Sequence, residues 1–188
     1  MNELEKLMEG NNRYVEGKIT EKDAKSKRDE TYNEQKPYAT VLTCSDSRVV
    51  PEHIFNVNLG EIFVIRNAGN IVDPITLGSI EYGVEHLKTP ILIVLGHERC
   101  GAVTATYKGG DAEGHIKDVV EKISPIVEKV KKGGDEQAEI EEAIDENMKS
   151  VVEEIKKRSA IVSKLENDGK LKVIPLKYYL RDGSVREI

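Results

Sequence analysis

Apolar positions change period along this chain, and the changes mark its elements. Leu4, Leu7, Met8 and Tyr14 recur at near-helical spacing over residues 2–16, and a charged stretch with almost no apolar content follows from Lys18 to Lys36. The pattern predicts an N-terminal helical arm over residues 1–36. From there the spacing shortens. Ala39 to Thr43 reads as a strand ending at Cys44, and Ile62 to Arg66 as a second strand that ends in Asn67-Ala68-Gly69-Asn70, before a helix from about Pro74 to Leu87. Ile91-Leu92-Ile93-Val94-Leu95 is a continuous apolar run that stops at Gly96, as expected of a strand buried on both faces of a parallel sheet.

Beyond Gly101 the period turns helical, breaks at Gly109–Gly114, and resumes with Ile116, Val119, Val120, Ile123, Ile126, Val127 and Val130; Pro125 is expected to kink this helix or bound it. After Gly133-Gly134 a longer helix carries Ile140, Ile144, Met148, Val151, Val152 and Ile155, with Glu139, Glu141 and Glu142 as its solvated face. Lys172 to Leu180, then Asp182-Gly183 and Ser184 to Glu187, predicts a terminal strand and hairpin, with Pro175 favouring an edge or a bulge. Strands alternating with helices give an α/β class: a Rossmann-like, mainly parallel sheet flanked by helices, with an N-terminal helical arm and a C-terminal edge strand or hairpin. At 188 residues, a single domain with its α/β core over 37–188 is the expectation. Ligands in such sheets gather outside the carboxyl ends of strands, at a switch point.

Composition narrows the function classes. A net charge of −6 opposes nucleic acid or an anionic membrane as the main partner, since either selects a basic face. No stretch approaches the roughly 20 apolar residues of a membrane span, and Met1 to Lys6 lacks the apolar run of a signal peptide, so the expected location is cytoplasmic. Two cysteines in a reducing compartment are poor candidates for a structural disulfide, which directs attention to their chemistry.

Cys44 ends the first predicted strand, and His97 and Cys100 follow the third. Neighbouring strands would bring the three together. His97 and Cys100 are three apart across a strand-to-helix turn, so one ion can reach both, and a helix N-terminus beside Cys100 favours its thiolate. Two thiolates and one imidazole leave a tetrahedral zinc one open position, the arrangement of catalytic rather than structural sites. The spacing alone is equally compatible with inert buried cysteines. Asp46 and Arg48 follow Cys44 directly; they form either a loop ion pair or a carboxylate clamped by a guanidinium, kept ionised and off the metal so that it can orient a nucleophile.

Several separate motifs, in order, resemble the β-carbonic anhydrases: Cys44-Ser45-Asp46-Ser47-Arg48-Val49, Gly60-Glu61, Arg66-Asn67-Ala68-Gly69-Asn70, Ser79 with Glu81-Tyr82, and Gly96-His97-x-x-Cys100-Gly101-Ala102-Val103. Gly10-Asn11-Asn12-Arg13-Tyr14-x-x-Gly17 is similar to that family's arm, which in relatives packs on a partner subunit. The resemblance implies one zinc ion on Cys44, His97 and Cys100, an Asp46–Arg48 dyad beside it, and Asn58 and Tyr82 as substrate-pocket residues. It also implies reversible hydration of carbon dioxide to bicarbonate and a proton by attack of zinc-bound hydroxide, and a homodimer or higher homo-oligomer. Val41 and Thr43 stand where the bicarbonate-inhibited branch carries Trp and Gly, which places the chain with the constitutively open branch. Ile174-Pro175-Leu176-Lys177-Tyr178-Tyr179 replaces the Gly-Ala-rich segment of relatives. Because two thiolates offset the zinc charge, activity is expected to be shifted toward alkaline pH. Hydrolysis of carbonyl sulfide or carbon disulfide on the same site is the alternative chemistry; a non-catalytic zinc-stabilised binding module and a thiol redox protein are the alternative classes. His53, His86 and His115 read as surface or capping residues.

Overall fold

A computed structural model describes residues 1–20 and 24–188; residues 21–23 of the charged arm lie outside the described part. The predicted first helix is α1, Glu3–Val15, opened by a capping box in which Asn2 accepts from the Glu5 N–H and Glu5 accepts from the Asn2 N–H. A second arm helix, α2 (Ala24–Thr31), buries none of its residues.

The core follows as β1 (Ala39–Cys44), α3 (Pro51–Ile54), β2 (Ile62–Asn67), α4 (Pro74–Glu81), β3 (Ile91–His97), α5 (Gly101–Lys108), α6 (Ile116–Val130), α7 (Glu136–Arg158), α8 (Ala160–Asn167), β4 (Lys172–Tyr178) and β5 (Val185–Glu187). The sheet order is β2-β1-β3-β4-β5, parallel except for β5, which returns antiparallel on β4. From β1 the chain steps outward to β2 and then back across to β3, so the switch point falls between β1 and β3, the strands that end at Cys44 and His97.

Both central strands are buried throughout, and alternate residues serve opposite cores. Leu42, Leu92 and Val94 pack under α4 to α8, whereas Ala39, Val41, Ile93 and Leu95 pack toward α1, α3 and the terminal hairpin. α1 docks on its own chain: Leu7 is fully buried, and Asn11 donates to the carbonyls of Ile54 and Gly183 and accepts from the Val185 N–H. α7 crosses β3 so closely that a Cβ on Gly96 would lie 2.1 Å from Met148 Sδ, which accounts for the glycine that ends the apolar run.

Three local expectations change. The helix expected to run from Pro74 to Leu87 is α-helical only to Glu81 and continues as a π-helical turn over Tyr82–His86. Of the two expectations at Pro125, a kink or a boundary, the boundary is overturned, since α6 continues through it. Pro175 does sit where β4 is an edge, since β5 pairs only with Leu176 to Tyr178. The helix-borne glutamates are the third change, because one of the three is buried and a second, 28% exposed, is engaged by partners from elsewhere in the chain. Glu139 is buried and takes the Tyr107 hydroxyl at 2.5 Å and the N–H groups of Lys132 and Gly134. Glu141 accepts from the Arg99 N–H and pairs with Lys177.

Candidate metal centre and comparisons with known proteins

β1 and β3 pair in parallel from Thr40↔Leu92 to Thr43↔Leu95, and this register delivers Cys44 and His97 side by side at their carboxyl ends. Cys100 is the N-cap of α5, returned toward them by a turn in which Arg99 takes a left-handed φ of 52°. The ligand atoms of Cys44, His97 and Cys100 all lie within 4.8 Å of one another, and all three residues are buried.

His97 Nδ1 is 2.8 Å from the carbonyl oxygen of Glu98, an acceptor, so Nδ1 carries the proton and Nε2 presents a lone pair. That Nε2 is buried and has no hydrogen-bond partner among the described residues. A buried, unpartnered nitrogen beside two free sulfurs costs stability unless a cation accepts its lone pair, so the donor set fits a thiophilic metal. The hydrogen bond from Cys100, with the N–H groups of Gly69 and Asp46, lowers the Cys44 thiol despite burial. The same bond, burial and the Cys44 charge raise Cys100. The α5 N–H groups of Val103 and Ala102 act on Cys100 in the predicted direction, but the neighbouring sulfur outweighs them.

Asp46 and Arg48 form a forked pair. Arg48 Nε donates to Asp46 Oδ1 at 2.9 Å, Nη2 to Oδ2 at 2.7 Å, and the Arg48 N–H to Oδ1 at 3.0 Å. The hydrogen bond from Arg48 holds Asp46 at about 2, against partial burial. Asp46 Oδ2 lies 3.9 Å from His97 Nε2, so the carboxylate stands beside the sulfur and nitrogen donors but is bonded elsewhere. Because its folded pKa is depressed, the Asp46–Arg48 pair contributes stability above the unfolded pKa near 3.8 and loses it as pH falls toward about 2. Arg48→Ala is therefore expected to flatten the acid limb of the stability curve across that window, measured by urea unfolding at a series of pH values; an unchanged acid limb would remove the pair from the account.

Arg66, to which the sequence motifs give no separate role, supports the cluster from β2. Arg66 Nη2 donates to the Asp46 carbonyl at 2.9 Å and Nε to that of Cys44 at 3.3 Å, bracing the loop that holds both side chains. Its signal was its place in the Arg66-Asn67-Ala68-Gly69-Asn70 motif. Gly69, at φ 73°, could not carry a Cβ without meeting Ile123 Cδ1 at 2.8 Å.

Asn58 and Tyr82 are not brought to this cluster. Asn58 lies in the turn before β2, its N–H donating to Glu61, at the amino end of the sheet. Tyr82 is exposed and rests on Phe63 and His86, with ring centroids 5.9 and 4.7 Å away. Its neighbour Gly83 packs on Thr40, four residues before Cys44 and therefore about 13 Å back along the strand.

The carbonic anhydrase family model matches residues 39–185, which include every residue of the cluster. The chain belongs to the β-carbonic anhydrase family. The carbonic anhydrase of Mycolicibacterium smegmatis is 35% identical over 184 residues, 95% of this chain and 88% of that protein. Among solved structures, the Coccomyxa β-carbonic anhydrase in complex with acetazolamide superposes with a TM-score of 0.80 at 27% identity, covering all of this chain and 87% of the other. A tetrameric β-carbonic anhydrase from Sordaria macrospora shares the fold, with a TM-score of 0.78 at 23% identity over 88% of this chain and 90% of that one. The enzyme class expected from the motifs is thus shown by relatives that span nearly the whole chain. No helix among the described residues is long and apolar enough to cross a membrane.

Proposed function

We propose that this carbonic anhydrase hydrates carbon dioxide reversibly to bicarbonate and a proton at a zinc centre held by Cys44, His97 and Cys100. The observation that carries the reading is the unpartnered Nε2 of His97, buried beside two free sulfurs. Zinc bound there supplies the Lewis acidity that makes water a nucleophile near neutral pH. The two thiolates of the donor set offset the charge of the ion, which moves activity toward alkaline pH relative to an all-imidazole set.

The protein's own residues then do the orienting. Asp46, ionised at any physiological pH and clamped by Arg48, offers an oxygen beside the donors; it accepts the O–H hydrogen of the reacting water and thereby fixes which lone pair faces the incoming carbon. Arg66 holds the loop against displacement as charge builds. Asn58 and Tyr82 serve a site only if a second copy brings them there, since each lies away from the cluster of its own chain. Tyr82 is 45% exposed, and the Sordaria relative is described as tetrameric; both support at least a homodimer. Two free buried thiols suit a reducing compartment such as the cytoplasm.

The test is loss of oxygen-18 from labelled carbon dioxide, followed with sulfide release from carbonyl sulfide in parallel. Rapid exchange that rises into the alkaline range is expected. Sulfide release without exchange would transfer the site to carbonyl sulfide hydrolysis.

A further inference from the structure

The turn that carries two of the three donors is strained and has a support from outside the site. Between His97 and Cys100 the chain passes through Arg99 at φ 52°, a left-handed conformation that is unfavourable for a residue with a Cβ. This reversal returns Cys100 toward His97. The Arg99 N–H has no place in the sheet ladder; it donates instead to Glu141 Oε1 at 3.0 Å, on α7, 42 residues along the chain. Glu141 is itself anchored. Its Oε2 lies 2.9 Å from Lys177 Nζ, and Asp145, one helical turn further, holds the same ammonium at 2.7 Å. Lys177 is only 4% exposed and sits on β4 opposite Gly96, the residue before His97. Burial opposes its charge, but the hydrogen bonds and charges of Asp145 and Glu141 outweigh burial and keep it protonated. β4 also touches the turn directly, since the Glu98 N–H donates to the Tyr178 carbonyl.

From this geometry we infer that Glu141, fixed by Lys177, is a positioning residue for the metal centre: it holds the Arg99 peptide in its left-handed conformation and so sets the approach of Cys100 to His97. The inference rests on the zinc reading above. Glu141 touches neither substrate nor donor atoms, and its effect is on how long the metal stays. Outer partners that orient ligands typically carry 10- to 100-fold in metal affinity. The same helix supplies a control, because Glu139 also ties a loop through backbone N–H groups, those of Lys132 and Gly134, and takes the Tyr107 hydroxyl about two turns along α5 from Cys100, but makes no hydrogen bond to the 97–100 turn.

The experiment loads the intact protein with zinc and follows transfer of the ion to a chromophoric chelator, with thermal unfolding measured on the same samples. Glu141→Ala is expected to release zinc on the order of tenfold faster than the parent. Glu141→Gln, which keeps the acceptor oxygen for the Arg99 N–H, restores most of the retention. Glu139→Ala is expected to lower the unfolding temperature while leaving zinc release unchanged. Equal release from parent and Glu141→Ala, or equal acceleration in Glu139→Ala, would overturn the inference. A parent protein that binds no zinc would overturn the zinc reading itself, a separate and recognisable outcome.

Discussion

Cys44→Ala is expected to strip the protein of zinc and, with it, of carbon dioxide hydration. Cys44 ends β1 and is the one donor that comes from outside the His97–Cys100 turn, so its removal leaves two ligands on a single turn and opens the centre on the β1 side. Zinc per chain should fall close to zero. Hydration should fall on the order of 10³-fold or more, because water without the metal returns to its bulk acidity. The fold should persist: the sulfur lies at the end of a strand whose interior residues, Val41 and Leu42, are fully buried and untouched. Stopped-flow hydration, metal analysis and circular dichroism on one preparation check all three statements. Parental hydration in this variant would place the chemistry elsewhere.

Arg48→Ala separates metal binding from catalysis. Arg48 donates three hydrogen bonds to Asp46, counting its own N–H, and two of them come from the guanidinium. Without the fork the Asp46 carboxylate, 3.9 Å from His97 Nε2, is free to turn onto the metal position and close it. Zinc should therefore be retained, even more firmly than in the parent, while hydration falls roughly 100-fold, the scale of lost outer-shell support. Arg48 is half exposed, so its loss leaves no buried void; above pH 5 the variant should lose only the modest stability that the ion pair contributes there, without unfolding. Zinc lost together with activity would mean that Arg48 supports the donors themselves rather than restraining Asp46.

The central fold and the donor set were legible because they depend on local pattern. A fully apolar run from Ile91 to Leu95 has few structural outcomes, and a cysteine or histidine at the end of such a run falls where parallel sheets expose their strand ends. What escaped the pattern was set by partners distant in sequence. Glu139, Glu141 and Glu142 look alike on the polar side of a helix. Only the arrival of Tyr107, the 132–134 loop and Arg99 buries the first and engages the second. The π-helical turn at Tyr82–His86 has no composition signal of its own. Pro125 reads as a kink or a boundary, and it is the burial of Ile123, Ile126 and Val127 against the core that carries α6 through it. Asn58, assigned from the family resemblance, shows what pairing adds: parallel β1 and β2 put the start of β2 beside Ala39 and its end beside Cys44, so a residue just before β2 falls at the far end of the sheet from its own chain's cluster.

The most direct test of the centre itself is zinc-edge X-ray absorption on the purified, metal-loaded protein at alkaline pH. Two sulfur scatterers near 2.3 Å and two lighter nitrogen or oxygen scatterers at about 2.0–2.1 Å are expected, one of the lighter pair exchangeable on adding a small anion. A shell with four sulfur or nitrogen donors and nothing to exchange, or a chain that takes up no zinc, would contradict the three-donor zinc centre.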